Sequence, residues 1–268
     1  MSLVHAASAA DPSAPLARRN PVAKLAAALL PALVLLVGVD AVSSAVILTA
    51  TLASVPAWGI RWSGLGRTLV PLGVALVMVA VGNAIFTDLK GGAAVIDAGA
   101  LLVTTESLAV GVVSGLRVAA IALPGVLAVS TIDPVDLADS LVQHLRVPPR
   151  FAYGSLAALR LAPLLAAEWD ALGRARRARG LETGRNPLAA VRLFAGKLFA
   201  LLVGAVRRAT HLATAMDARG FDSTGPRTSA RISRLTRADA LLVAVSGVVA
   251  AVAVVLAVVT GSWNPVVS

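Results

Sequence analysis

Five apolar runs, each about as long as a membrane-spanning helix, constrain the fold of this chain more than any other feature. The hydrocarbon core of a bilayer is about 30 Å thick, and an α-helix needs roughly 20 residues to cross it. Because no water is available there to bond the backbone, such a segment has to be helical or part of a closed barrel. We predict spanning helices at residues 22–39, 41–58, 68–87, 108–130 and 239–259.

Composition agrees with a membrane protein. Of the 268 residues, 57% are hydrophobic, and a soluble domain of this length would need more polar surface. The chain has no cysteine, which excludes disulfides and thiolate ligands or nucleophiles. The predicted fold class is therefore all-α: a polytopic membrane protein of about five transmembrane helices, with a cytoplasmic helical domain inserted before the last span.

The domain organisation follows from where the polar residues lie. Residues 1–20 are predicted to form a disordered N-terminal tail and not a signal peptide, because their basic residues come last. The other predicted divisions are transmembrane helices 1–4 in residues 21–130, a polar domain in 131–238, transmembrane helix 5 in 239–260, and a short tail in 261–268.

The distribution of charge predicts the orientation in the membrane. The polar domain holds 17 of the 24 Lys and Arg residues, and basic loops remain on the cytoplasmic side of a membrane. With the N-terminus inside, every loop obeys this rule, and Lys90 is the one basic residue left outside. We therefore expect a multi-pass protein of the plasma membrane whose N-terminus and polar domain are cytoplasmic.

Three helices are predicted within the polar domain. Asp133-Pro134 and Asn186-Pro187 each place a capping side chain before a proline at the first helical position. The predicted helices run from 134 to about 146, from about 150 to 180, and from 187 to 220. The third carries an apolar stripe that has to be covered by other helices or by the membrane surface: Leu188, Val191, Phe194, Leu198, Leu201, Ala205, Ala209, Leu212 and Met216.

Two Ala-Arg-Gly triplets, Ala178-Arg179-Gly180 and Ala218-Arg219-Gly220, close the second and third of these helices. The glycine supplies the left-handed residue that ends a helix, and the helix dipole favours a cation beside it. A generic C-cap therefore explains one such triplet. Two copies on two cytoplasmic helices favour docking, in which each planar guanidinium binds carboxylates of a partner.

The paired triplets and their lead-in, Thr131-Ile-Asp-Pro-Val-Asp-Leu-Ala-Asp-Ser-Leu and Val147-Pro-Pro-Arg-Phe-Ala-Tyr, resemble the transmembrane T component of energy-coupling factor (ECF) transporters, the EcfT/CbiQ-like family. The resemblance covers roughly residues 21–260. It implies the coupling subunit of an ABC importer for a vitamin or a transition-metal ion such as cobalt. The implied partners are two ABC ATPase subunits and a substrate-binding membrane S component.

The same resemblance assigns the site. It implies that the ATPase subunits contact the six residues of the triplets: Ala178, Arg179, Gly180, Ala218, Arg219 and Gly220. Three further basic residues, Arg174, Arg176 and Arg177, either steer an acidic groove toward the first triplet or form a solvated or lipid-facing basic face.

Little else in the sequence points to catalysis. Gly196-Lys197 lacks the rest of a P-loop, so ATP hydrolysis is expected in partner chains. His5, His144 and His211 are isolated from one another, and we predict no catalytic residue, cofactor or metal site. The chain is thus expected to be a non-catalytic transporter subunit.

Two features of the fourth predicted span call for an explanation. Arg117 is a charge within the span, where it pairs with a carboxylate, faces a cavity, or lies near the outer interface. Gly111-x-x-x-Gly115 lies just before it, at a spacing that allows close helix packing but is common in apolar sequences.

Two other functions stay open from the residues alone. A membrane enzyme acting on phospholipid or nucleotide head groups would use the basic domain to hold them, although it would need clustered carboxylates. A structural membrane scaffold would instead bind anionic lipid through that domain. Nucleic acid is not expected as a partner, because the basic residues are not interleaved with stacking aromatic residues.

Overall fold

The computed structural model describes residues 14–38, 40–59, 62–87, 91–97, 102–181, 186–221, 229 and 231–263. The chain forms two compact units. The membrane unit contains the described residues up to Leu137 and from Ser233 onward, and the inserted unit those between Ala138 and Ile232. The inserted unit lies within the predicted polar domain 131–238.

Apolar helices build the membrane unit. Its described helices are α1 (Pro21–Val37), α2 (Ala41–Ser54) with a 3₁₀ turn (Val55–Trp58), α3 (Trp62–Phe86), α4 (Thr105–Ser130) and α8 (Arg237–Val259). Ahead of α4 lie two short antiparallel strands, β1 (Ala94–Asp97) and β2 (Leu102–Thr104). This hairpin was not predicted, and it leaves the fold class unchanged.

Three helices follow α4 in the chain: α5 (Pro134–His144), α6 (Pro149–Ala178) and α7 (Pro187–Ala218). Their order and approximate bounds agree with the prediction. Helix α5 ends two residues earlier than expected, because Arg146 adopts a left-handed backbone conformation with φ 54°. Pro163 lies inside α6, which continues across it as one helix.

Helix length and composition confirm an all-α polytopic membrane protein. Four of the described helices are long and apolar enough to cross a membrane: α2 with its 3₁₀ extension, α4, α7 and α8. Helix α1 and the Val70–Phe86 part of α3 are shorter apolar helices. Helix α7 satisfies this test although the sequence analysis assigns it to the cytoplasmic domain, so length and composition alone do not locate it.

The predicted helix starts are confirmed. Asp133 Oδ1 accepts a hydrogen bond from the backbone N–H two residues further on, at 2.7 Å. Asn186 Oδ1 does the same at 3.0 Å. Thr236 and Asp239 form the predicted capping box, in which Asp239 Oδ2 accepts from the Thr236 N–H at 2.7 Å. Each cap satisfies donors that the first turn of a helix cannot pair internally.

Helix α4 is central to the membrane unit, since it packs against α1, α2 and α3, while α8 packs against α1 and α2. Buried apolar side chains fill the space between these helices. They form two clusters, one of Val55, Trp58, Leu123, Leu127 and Ala128 and one of Leu35, Ile47, Ala120 and Ala253.

Gly111 and Gly115 bring α4 close to α3. Both are buried. A Cβ atom at Gly111 would collide with the backbone carbonyl of Ala80, and one at Gly115 would lie 3.2 Å from the Ala80 Cβ. The close packing that this spacing allows is therefore present, and at Gly111 only glycine leaves room for the α3 backbone.

Arg117 binds the end of a neighbouring helix. Its Nε and Nη2 atoms donate hydrogen bonds to the Leu35 carbonyl oxygen at 3.0 and 2.6 Å. Leu35 lies in the last turn of α1, where carbonyl groups lack partners within the helix and the helix dipole is negative. The partner is thus a helix end and not the carboxylate that we considered from the sequence.

The chain around the start of α1 is tied to the membrane unit. Lys24 is only 1% exposed, and its ammonium donates to the carbonyls of Ala17 at 2.7 Å and Thr131 at 2.9 Å. The Asn20 N–H donates to Asp239 at 3.0 Å. The disordered tail predicted over residues 1–20 therefore has to be shortened, because residues 14–20 pack here; residues 1–13 lie outside the described residues.

Replacing Arg117 by methionine should destabilise the membrane unit by about 1–3 kcal/mol, because buried carbonyls at the end of α1 lose a charged donor. Thermal unfolding in detergent measures the effect. Ser114→Ala on the same helix is the matched control, since the Ser114 hydroxyl donates to Val110 within α4. We expect the control to unfold like the parent, and an Arg117→Met variant that also does so would contradict the assigned role.

Candidate functional site

The predicted site lies on two helices, α6 and α7, which are joined by a bidentate ion pair. Two nitrogens of Arg208 donate to the two carboxylate oxygens of Glu168, at 2.6 and 2.7 Å. The hydrogen bonds from Arg208 lower the pKa of the Glu168 carboxyl below its usual value. This bidentate geometry is directional, so it fixes both the spacing and the rotation of the two helices.

Aromatic contacts add to the pairing. The rings of Trp169 and Phe194 meet edge to face with their centroids 5.3 Å apart. Lys197 places its ammonium 4.1 Å from the centroid of the Trp169 ring, which is a cation–π contact. Lys197, which the sequence analysis considered only as part of an incomplete P-loop, thus holds α7 on α6.

The contacts at the two ends show that α6 and α7 run antiparallel. Arg150, near the start of α6, lies 3.4 Å from Asp217, near the end of α7. Arg176, near the end of α6, donates at 2.8 Å to the carbonyl of Leu193, near the start of α7. The two triplets therefore stand at opposite ends of the pair, on the order of 40 Å apart at 1.5 Å per residue.

The first triplet ends α6 in a Schellman motif, the arrangement in which two N–H groups fold back onto the last turn. The Gly180 N–H donates to the Arg177 carbonyl at 2.9 Å, and the Leu181 N–H to the Arg176 carbonyl at 3.0 Å. Gly180 has φ 72°, a left-handed conformation that glycine adopts readily because it has no Cβ, and that other residues disfavour. We call residues 178–181 the first tip.

The second triplet repeats this geometry at the end of α7. The Gly220 N–H donates to the Asp217 carbonyl at 2.9 Å and the Phe221 N–H to the Met216 carbonyl at 3.1 Å, with Gly220 at φ 74°. We call residues 218–221 the second tip. Both predicted glycine caps are confirmed, and the two arginines occupy the same position relative to their helix ends.

Both arginines are exposed, as are Ala178 and Ala218 beside them. Neither Arg179 nor Arg219 forms a side-chain hydrogen bond or ion pair with another residue that the structure describes. Of the nearby basic residues, Arg174 and Arg177 are exposed as well, whereas Arg176 bonds α7. The three do not act as one basic face.

The residue that follows each triplet was not predicted to belong to the site. Leu181 and Phe221 are both apolar and both donate the outer hydrogen bond of their Schellman motif. The signal was present as a fourth shared feature, Ala-Arg-Gly followed by an apolar residue. The two differ in their surroundings, because Phe221 packs its ring against Tyr153 whereas the Leu181 side chain is 50% exposed.

The predicted apolar stripe of α7 is largely uncovered within the inserted unit. No described residue of α7 is buried, and Leu188, Val191, Phe194 and Leu198 each keep more than half of their surface exposed. Beside the second tip, a groove of about 490 Å³ lies between the start of α6 and the end of α7. A surface this apolar is typical of a binding face.

Comparison with known proteins identifies the family. The chain matches the family described as CbiQ, cobalt transport protein, over residues 12–230. It belongs to that family. The match takes in both tips, α5, and α1 to α4.

Curated relatives carry a more specific name. A protein of Brevibacillus brevis is 28% identical over 255 residues, which cover 92% of this chain and 93% of the relative. One of Exiguobacterium sibiricum is 28% identical over 66% of this chain and 70% of its own. One of Listeria innocua is 33% identical over 57% and 61%, respectively. Each is named energy-coupling factor transporter transmembrane protein EcfT.

These comparisons confirm the resemblance to the T component of ECF transporters. The chain is a transmembrane component of such a transporter and a multi-pass protein of the plasma membrane. As a member of this family it takes part in an ECF transporter complex.

Gly180→Ala and Gly220→Ala should each open a tip, because an L-residue in the left-handed region costs about 1–2 kcal/mol. Hydrogen exchange at the last amides of α6 or α7 should become faster in the corresponding variant. Gly154→Ala is the control, since Gly154 lies within α6 and a Cβ there meets nothing within 4 Å. Equal exchange at the tips of all three variants would show that the left-handed glycines do not hold them.

Proposed function

We propose that this chain couples two cytoplasmic ABC ATPase subunits to a separate substrate-binding membrane S component, with Arg179 and Arg219 as the residues that the ATPases grip. The single observation that carries the proposal is the repeat of one exposed, arginine-bearing Schellman cap at both ends of a rigid helix pair. ATP hydrolysis takes place in the partner chains, and this subunit transmits the motion.

The distance between the tips indicates that each tip docks at a site of its own and that the two do not share one pocket. At a separation on the order of 40 Å, one pocket cannot hold both arginines. Equal local geometry suits two equal partners, such as the two subunits of an ATPase dimer. The alanine before each arginine and the glycine after it are small, so an approaching groove can reach the helix end.

The chemistry of the tips supports an acidic groove on the partner. An exposed guanidinium offers a planar fork of donors that matches a carboxylate. Such a contact is worth roughly 2–5 kcal/mol when it becomes buried, and much less at an exposed rim. Closure of the groove around the arginine would therefore decide how firmly each tip is held.

The pairing of α7 with α6 supports a cytoplasmic inserted unit. Helix α7 is apolar enough to span a bilayer, but it lies side by side with α6, which carries seven charged residues. Placing α7 in hydrocarbon would bring these charges with it, at a cost of several kcal/mol. The inserted unit thus belongs in the cytoplasm with the N-terminus, as the distribution of basic residues predicts.

The apolar stripe of α7 is the surface that we assign to the S component. ATP binding closes the ATPase dimer, the two grooves move the tips, and the shift of α6 and α7 reorients the membrane subunit lying on the stripe. The transported substrate is a vitamin or a transition-metal ion. The description of the matched family favours cobalt among these.

Charge reversal at the tips tests this function. Arg179→Glu and Arg219→Glu should each weaken binding of the ATPase subunits by roughly 30- to 1,000-fold, since the lost contact turns into repulsion. Co-purification of the ATPase subunits with this chain measures binding, and ATP-driven uptake of radioactive cobalt and of labelled vitamins into vesicles measures transport.

The matched control is Arg160→Glu, which reverses an exposed charge on α6 away from either tip. It should bind and transport like the parent. If the double variant with both tips reversed still co-purifies with the ATPases and supports uptake, the arginines are not the docking residues.

A further inference from the structure

The two tips share their backbone geometry but differ in what lies behind them. The Phe221 ring meets the Tyr153 ring edge to face, with the centroids 6.2 Å apart and the planes at 89°. The Tyr153 hydroxyl donates a hydrogen bond of 2.8 Å to Asp139. Asp139 is a buried residue of α5. We call these three residues the bracket.

The bracket joins three helix segments at one end of the inserted unit. Phe221 is the last residue of the second tip, Tyr153 lies in the first turns of α6, and Asp139 is in the middle of α5. A second contact ties the return segment to the same helix, because Gln143 of α5 donates to the Arg231 carbonyl at 2.8 Å. Phe221 is thus tied to α5 through Tyr153, and Arg231, ten residues further along the chain, is tied to it through Gln143.

At the first tip the corresponding residue is Leu181, half of whose side chain is exposed. Leu181 stands at the end of the α6–α7 pair opposite Tyr153, and its side chain has neither a ring nor a polar atom with which to form contacts of the bracket's kind. The first tip is supported through α7, where Arg176 bonds the Leu193 carbonyl. The two tips are therefore unequal in how they are supported, although their caps are alike.

We propose that the bracket makes the second tip the one that transmits ATPase motion to α5, while the first tip mainly holds its ATPase subunit. The inference rests on the proposed function, because it assigns different tasks to the two proposed docking sites. Phe221, Tyr153 and Asp139 are positioning residues and touch neither nucleotide nor substrate.

The chemistry of the bracket suits transmission. A buried carboxylate resists losing its hydrogen-bond donor, so α5 follows the Tyr153 hydroxyl when the ring moves. The edge-to-face contact fixes the direction from which Phe221 approaches that ring. Helix α5 then leads back along the chain to α4, and only three residues separate the end of α4 at Ser130 from the start of α5 at Pro134.

The test uses the complete transporter in vesicles, with its ATPase subunits and S component. The chain has no cysteine of its own, so spin labels attach only at introduced sites: Arg18→Cys and Leu145→Cys, both exposed positions. Residue 145 follows the end of α5, and residue 18 belongs to the membrane unit. The distance between the labels is measured with ADP and with a slowly hydrolysed ATP analogue.

In the labelled parent, the ATP analogue should change the distance by on the order of 2–5 Å. Tyr153→Phe, which removes only the hydroxyl, and Phe221→Ala should each lose most of this change while the ATPase subunits remain bound. Leu181→Ala, the matched control at the first tip, should keep it. The double variant Tyr153→Phe/Asp139→Asn should lose no more of the distance change than the more affected of the two single variants. The reason is that both substitutions affect the same hydrogen bond.

Several results would overturn the inference while leaving the proposed function intact. These are a full distance change in Tyr153→Phe and Phe221→Ala with the ATPases bound, an equal loss in Leu181→Ala, or no nucleotide-dependent change in a parent that binds the ATPases. Loss of ATPase binding in Phe221→Ala would make Phe221 a docking residue and also overturn it. If the parent chain itself fails to bind the ATPases, the proposed function falls and this inference with it.

Discussion

The exclusion of charge from the bilayer is the constraint on which the rest of this protein depends. Hydrocarbon accepts neither an unpaired backbone group nor an unpaired charge, so most basic residues are confined to one inserted segment. Two basic residues lie within the spans predicted from the sequence, and both bind backbone carbonyls: Arg117 at the end of α1, and Lys24 at Ala17 and Thr131. Because most basic residues are concentrated in this segment, the inserted unit is basic and can carry docking sites.

Rigidity within the inserted unit comes from contacts between α6 and α7. The Glu168–Arg208 pair and the contacts of Trp169 with Phe194 and Lys197 hold two long helices antiparallel. Because the helices are antiparallel, the two similar caps lie at opposite ends of the α6–α7 pair. A partner can therefore bind the pair at each end. The contacts between the helices resist their separation when either tip is held, which a pair of flexible loops could not do.

Local features of this protein could be predicted from its sequence, and contacts between distant segments could not. The caps at Asp133, Asn186 and Thr236 and the glycine stops at 180 and 220 follow from short-range hydrogen bonding, so their residue types reveal them. The partner of Arg117 lies 82 residues away, and the Phe221–Tyr153–Asp139 contacts join three helices; no local pattern signals either. The location of α7 is ambiguous from composition because its apolar stripe suits a partner helix as well as lipid.

The most direct test of the central claim is the side of the membrane on which the tips lie. Ala178→Cys and Ala218→Cys each place a single thiol beside an exposed arginine in a chain without other cysteines. A membrane-impermeant maleimide should label both thiols in inside-out vesicles and neither in intact cells, and bound ATPase subunits should protect them. Labelling of either position from outside intact cells would contradict the account, since no cytoplasmic ATPase could then reach that tip.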